Sequence, residues 1–105
     1  MTIQFNADKN IASNDRTANY MNSMILDSLD RFSDHITRVE VHLADENGSN
    51  KEGGKDKRCT LEARLEGMKP IVVTNHADTV EKSVSGAIDK LVSTLDKTVE
   101  RQRSY

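Results

Sequence analysis

The chain has 105 residues and a formal net charge of −2, with no Trp, two Phe, two Tyr and a single cysteine. That length suggests one domain with one modest core, and the scarcity of aromatic residues makes that core aliphatic. No apolar run approaches the roughly 18 residues of a membrane span, one cysteine closes no internal disulfide, and dedicated nucleic-acid binders are usually basic overall.

In MTIQFNADKN, Ile3, Phe5 and Ala7 alternate with polar residues, which predicts a first strand near residues 2–7. The same ten residues lack the basic, apolar and small-residue segments of a signal peptide. Together with the lone Cys59, this makes a reducing cytoplasm the expected location. A polar connection follows, in which the side-chain oxygen of Ser13 or Asn14 can cap a helix. Ala18, Met21, Met24, Ile25, Leu29 and Phe32 then recur at three- and four-residue steps, predicting a helix over about 15–32.

SDHIT closes that helix, and Arg38–Asp45 reads as a strand with Val39, Val41 and Leu43 on one parity and Arg38, Glu40 and His42 on the other. Residues 45–57, rich in Gly, Asn and charge, predict a flexible inter-strand loop that is long for a hairpin. Lys57–Glu66 alternates again, with Cys59, Leu61, Ala63 and Leu65 on the apolar parity. A turn at Gly67–Pro70 and a strand at Ile71–Asn75 come next. Asp78 with Glu81 resembles a capping box, and Val80, Val84, Ile88, Leu91, Leu95 and Val99 predict a helix from Thr79 to about Arg101. Residues 102–105 are expected to form a frayed tail.

The predicted order is β-α-β-β-β-α. Three consecutive strands suit an antiparallel meander, and the first strand joins after a helical crossover, parallel to its neighbour. Two amphipathic helices on one face of a four-stranded sheet bury every apolar parity, a two-layer α+β sandwich. The other face would carry Arg38, Glu40, His42, Arg58, Thr60, Glu62 and Arg64, solvated and joined by cross-strand charge pairs.

Chemical motifs are scarce. His35, His42, His76 and Cys59 form no recognised ligand spacing, and Cys59 shares its strand's core parity whereas His42 points outward, so no metal or cofactor is expected. No nucleophile elbow, Cys/His signature or phosphate-binding glycine loop occurs, and the paired carboxylates Asp27/Asp30 and Glu62/Glu66 read as solvated surface; neither an enzyme nor a small-molecule substrate is expected.

Charge is uneven along the chain. Residues 1–56 hold six Lys/Arg against ten Asp/Glu, and residues 57–105 hold nine against seven, so attraction to phosphate should come from the C-terminal half. At about 100° per residue, Lys90, Lys97 and Arg101 fall in one narrow stripe of the last helix, away from its apolar stripe. Lys82 lies to one side, Arg103 can extend the positive end, and Asp89, Asp96 and Glu100 run alongside. The stripe reads either as an ordinary solvated face, with cations suited to a helix C-terminus, or as a ridge that tracks an RNA backbone.

The element order, with LDRFSDHITRVEVHL in the middle and AIDKLVSTLDKTVERQR near the end, resembles the ribosome hibernation-promoting factors, also called ribosomal subunit interface proteins, factor Y or sigma-54 modulation proteins. In that family the first helix typically ends in Lys-Leu-Glu-Arg-Phe or Tyr, followed by Asp-His-Ile; here Ser28-Leu29-Asp30-Arg31-Phe32 and Asp34-His35-Ile36 stand in those places. Ala87-Ile88-Asp89, followed by Lys90, Leu91, Leu95, Lys97 and Arg101, matches the second helix. The chain ends at Tyr105, which would place it beside the short members. The resemblance implies a fold similar to double-stranded-RNA-binding domains. It also implies docking on ribosomal RNA in the decoding channel of the small ribosomal subunit, which blocks translation sterically and preserves idle ribosomes under stress. Arg31, Lys90, Lys97 and Arg101 carry over as the RNA contacts. Family members usually place lysines where this chain has Ile25, Ser28 and Thr94, and each absent lysine removes one phosphate contact. The rival reading is a regulatory or protein-interaction module that keeps the fold with weak or no RNA binding. A third reading, a small enzyme on the outer sheet face, requires a pocket with perturbed titratable groups.

Overall fold

The structure, a computed structural model, describes residues 1–7, 15–45 and 57–103, and of residues 15–17 and 101–103 the backbone alone. The elements are β1 (Thr2–Ala7), α1 (Asp15–Leu29), a 3-10 turn (Asp30–Phe32), β2 (Ile36–Asp45), β3 (Lys57–Leu65), β4 (Ile71–Ala77) and α2 (Val80–Arg103). The expected helix caps at Ser13 and Asn14, the interior of the 45–57 loop and residues 104–105 lie outside the described residues.

The sheet order is β1-β2-β3-β4, with β1 parallel to β2 and the other pairs antiparallel. Both helices cover one face, as the alternation predicts. Val39, Val41 and Leu43 of β2 and Cys59, Leu61, Ala63 and Leu65 of β3 are buried beneath Met21, Ile25 and Leu29 of α1 and Val84, Ala87, Ile88, Leu91, Leu95 and Val99 of α2. Each fully buried Leu, Ile or Val contributes roughly 1.5–3 kcal/mol by leaving water, so this aliphatic layer holds the two helices in place.

The abrupt passage from α1 to β2 has a local solution. The helix tightens into the 3-10 turn, where Ser33 N–H donates to the Asp30 carbonyl at 3.0 Å and His35 N–H to the Phe32 carbonyl at 2.9 Å. Glu66 N–H then reaches the His35 carbonyl at 3.2 Å, tying the joint to the end of β3. The strand begins at Ile36, two residues before its predicted start. Ile36 faces Leu65 while Arg38 faces Arg64, so Thr37 is an extra residue in β2. This bulge turns Ile36 into the core although it shares even numbering with the outward residues, and the Thr37 hydroxyl donates to the Arg64 carbonyl at 3.1 Å.

Two further boundaries differ from expectation. β4 continues to Ala77, and α2 starts at Val80 and runs to Arg103. The cap of α2 is Thr79: its hydroxyl accepts from Lys82 N–H at 3.1 Å. The expected capping box from Asp78 to Glu81 does not form, because Asp78 pairs with Lys82 at 3.3 Å and Glu81 accepts the Tyr20 hydroxyl at 2.9 Å. After β3, Gly67 takes the left-handed φ of +73° that the turn needs.

The start of α2 is clasped to β4 by Asn75. Its amide donates to the carbonyls of Ser83 at 3.2 Å and Lys82 at 3.4 Å, passing directly over Gly86. A Cβ on residue 86 would stand 2.1 Å from that amide nitrogen. Gly86→Ala gains about 1 kcal/mol of helix propensity but displaces Asn75 from two bonds worth about 1 kcal/mol each and adds packing strain. The expected net effect is a loss of about 1 kcal/mol, measured by urea unfolding, and in an Asn75→Ala background the same change becomes stabilising. Stabilisation by Gly86→Ala with Asn75 present would show that the clasp does not constrain this helix.

Candidate nucleic-acid interface

α2 has two flanks of different character because it packs over β3 and β4 on one side and beside α1 on the other. Lys90 and Lys97 are seven residues apart, so they point the same way about 10.5 Å apart along the axis. They occupy the flank above β4, which is an edge strand. The Lys90 ammonium donates to the Thr74 carbonyl at 2.7 Å, while Lys97 is exposed with no ionic partner among the described residues. Between the β4 edge and α2 runs an open groove of about 560 Å³ lined by Val73, Thr74, Asp89, Lys90, Ser93 and Thr94. Position 101 continues the stripe by helical period, but the Arg101 side chain lies outside the described set.

Arg31 does not join these lysines. It sits in the 3-10 turn after α1 and forms a two-pronged salt bridge, at 2.7 and 3.0 Å, to Asp96, which lies about 120° around α2 from their stripe. Its guanidinium carbon lies 4.3 Å from the centre of the Phe32 ring. The hydrogen bonds from Arg31 hold the Asp96 carboxyl below the usual aspartate range, and the same bonds raise Arg31 further above neutrality. Tyr20 is likewise raised, first by its hydrogen bond to Glu81. The acids Glu81 and Asp96 thus face α1, and the lysines face the sheet edge.

The three positions expected to have lost lysines are not equivalent. Ile25 is fully buried under the sheet, so it withholds no phosphate contact. Ser28 is half-buried, and the Thr94 hydroxyl donates back to the Lys90 carbonyl at 3.0 Å.

The outer sheet face is laced with charge pairs, as its pattern predicts. Glu40 lies 3.2 Å from Arg38, 3.3 Å from His42 and 3.7 Å from Arg64, and Arg64 also meets Glu62 at 3.2 Å. Arg38 donates to Gln4, and the Thr60 and Thr74 hydroxyls bond at 3.1 Å. Among the described residues, no three His, Cys, Asp or Glu side chains gather as a metal site would require, and no helix is long and apolar enough to cross a membrane.

Fold and site together define a small two-layer α+β domain that carries two lysines on one flank of α2. The chain belongs to the family described as sigma 54 modulation protein / S30EA ribosomal protein, which matches residues 3–103. Among solved structures it is similar to the N-terminal domain of Protein Y from Thermus thermophilus, with 21% identity and a TM-score of 0.72 over 93% of this chain and 99% of that one. It is also similar to a ribosomal subunit interface protein from Coxiella burnetii, with 19% identity and a TM-score of 0.72 over 95% of this chain and 99% of that one. Curated proteins give no match.

Cys59 is fully buried, and burial pushes its thiol up to about 12. Unfolding therefore releases a proton between the ordinary thiol value and about 12, so its stabilising contribution is complete below that window and falls as pH rises through it. At pH 9 the native thiol is expected to resist a disulfide reagent such as DTNB that modifies the urea-unfolded chain within seconds. Equal rates for the two states would place the thiol at the surface.

Proposed function

We propose that the protein docks on the ribosomal RNA of the small ribosomal subunit and blocks translation by occupying space that messenger and transfer RNA require, holding ribosomes idle under stress. Family membership supports a ribosomal partner. The observation that carries the RNA-docking reading is the α2 flank: in a chain of net charge −2, Lys90 and Lys97 stand together above an edge strand, with no carboxylate paired to either among the described residues. Lys97 is available directly, and Lys90 gives up only a backbone carbonyl to reach a phosphate. Arg101 is assigned to the same contact line by its position. Each such cation releases condensed counterions from the RNA, so affinity falls as salt rises.

The acidic side of α2 and the acids Asp27 and Asp30 at the α1 end lie off this contact line. No bond is made or broken; the effect is steric.

Cosedimentation with small subunits across a salt series tests this reading. Wild-type binding is expected to weaken steeply with salt, and neutralising both lysines (Lys90→Gln with Lys97→Gln) to lower the logarithmic salt slope by about two. Charge reversal at both positions is expected to abolish cosedimentation. A chain that fails to cosediment even at low salt would instead favour the regulatory or protein-interaction module.

A further inference from the structure

The Arg31–Asp96 pair bears on how selective that docking is, a role that rests on the RNA-docking reading. Both terminal nitrogens of Arg31 are spent on one carboxylate, at 2.7 and 3.0 Å, and the guanidinium plane is backed by the buried Phe32 ring. The arginine is therefore already ordered, in the two-pronged geometry with which guanidinium binds a phosphate. Beside it opens a groove of about 630 Å³, lined by Arg31, Phe32, His35, Asp96, Val99 and Glu100, with ample room for a phosphate and its ribose. While the pair is closed, the Asp96 carboxylate occupies the guanidinium and meets an incoming phosphate with like charge. The pair is also open to water, with side-chain exposures of 59% for Arg31 and 48% for Asp96. Exposed pairs of this kind are weak enough for a correctly placed phosphate to displace.

We propose that Asp96 is a specificity-determining residue for RNA: its carboxylate competes with phosphate for Arg31, so this arginine contributes only where the RNA presents a phosphate at the end of α1 while the lysine flank is already engaged. RNA lacking that arrangement meets a closed pair and is held by the lysines alone. Arg31 holds the Asp96 carboxyl below the usual aspartate range, so protonation does not switch the competition near neutral pH. The contact spans 65 residues of sequence and joins the 3-10 turn after α1 to the C-terminal half of α2.

The test compares wild type, Asp96→Asn, Arg31→Gln and the double variant. Each is titrated against purified small subunits and against poly(U), a single strand without tertiary structure, by cosedimentation and fluorescence anisotropy. Asp96→Asn is expected to bind poly(U) about tenfold more tightly near 0.1 M salt, with a logarithmic salt slope steeper by about one, the signature of one added phosphate contact. Arg31→Gln in the wild-type background should change poly(U) binding less than about twofold, and in the Asp96→Asn background should remove the gain. On small subunits the gain from Asp96→Asn should be smaller than on poly(U), so discrimination between the two narrows. If Asp96→Asn leaves poly(U) affinity and slope unchanged, or if its gain survives Arg31→Gln, the competition is overturned even where subunits bind in a lysine-dependent manner. If no variant binds subunits at low salt, the docking reading fails and the competition at Arg31 fails with it.

Discussion

Four strands with apolar residues on alternate positions expose one greasy face, and only a roof of two helices keeps that face dry. This burial decides more than stability. Once Ile25 and Leu29 of α1 and Leu91 and Leu95 of α2 are committed to the sheet, the rotation of each helix about its axis is fixed. The remaining positions of α2 then have no freedom in where they look: Asp96 and Glu81 toward α1, Lys90 and Lys97 toward the sheet edge. The separation of charge on the surface is a by-product of the core.

The family match and the acidic net charge look contradictory until charge is followed residue by residue. Much of the acid is already occupied. Glu40 sits among Arg38, His42 and Arg64 on the outer face, Asp45 meets Lys57 at the mouth of the long connection, and Asp96 holds Arg31. Pairing in these places takes up much of the acid, and at physiological salt a polyanion responds to charges within about 8 Å more than to a distant sum. A negative total is thus compatible with a surface that phosphate can approach, provided the approach comes from the right side.

Sequence periodicity exposed the fold because most of it is local: parity in Val39–Leu43 and Cys59–Leu65 names the buried face, and the three- and four-residue steps of the helices name theirs. It misjudged places where a tertiary contact overrides a local rule. Ile36 has the wrong parity for the core and is brought there by the bulge at Thr37. Asp78 resembles a cap but is taken by Lys82, leaving Thr79 to do the capping. The lysine stripe was readable from helical spacing, whereas the state of Arg31 was not, since its partner is 65 residues away and no short-range pattern marks Asp96 as anything but surface. Asn75 and Gly86 were invisible for the same reason: only the approach of β4 to α2 gives a missing Cβ its meaning.

The bond from Lys90 to the Thr74 carbonyl has a consequence for the solitary molecule. A border strand with bare carbonyls and amides is a template on which another chain can lengthen the sheet. An ammonium parked on one of those carbonyls blocks the ladder at its middle and puts like charge opposite like charge whenever two copies meet there. Exposed Val72 on the same strand would otherwise invite such stacking. The side chain proposed to meet a polyanion is thus also the charge that guards the open edge of the sheet.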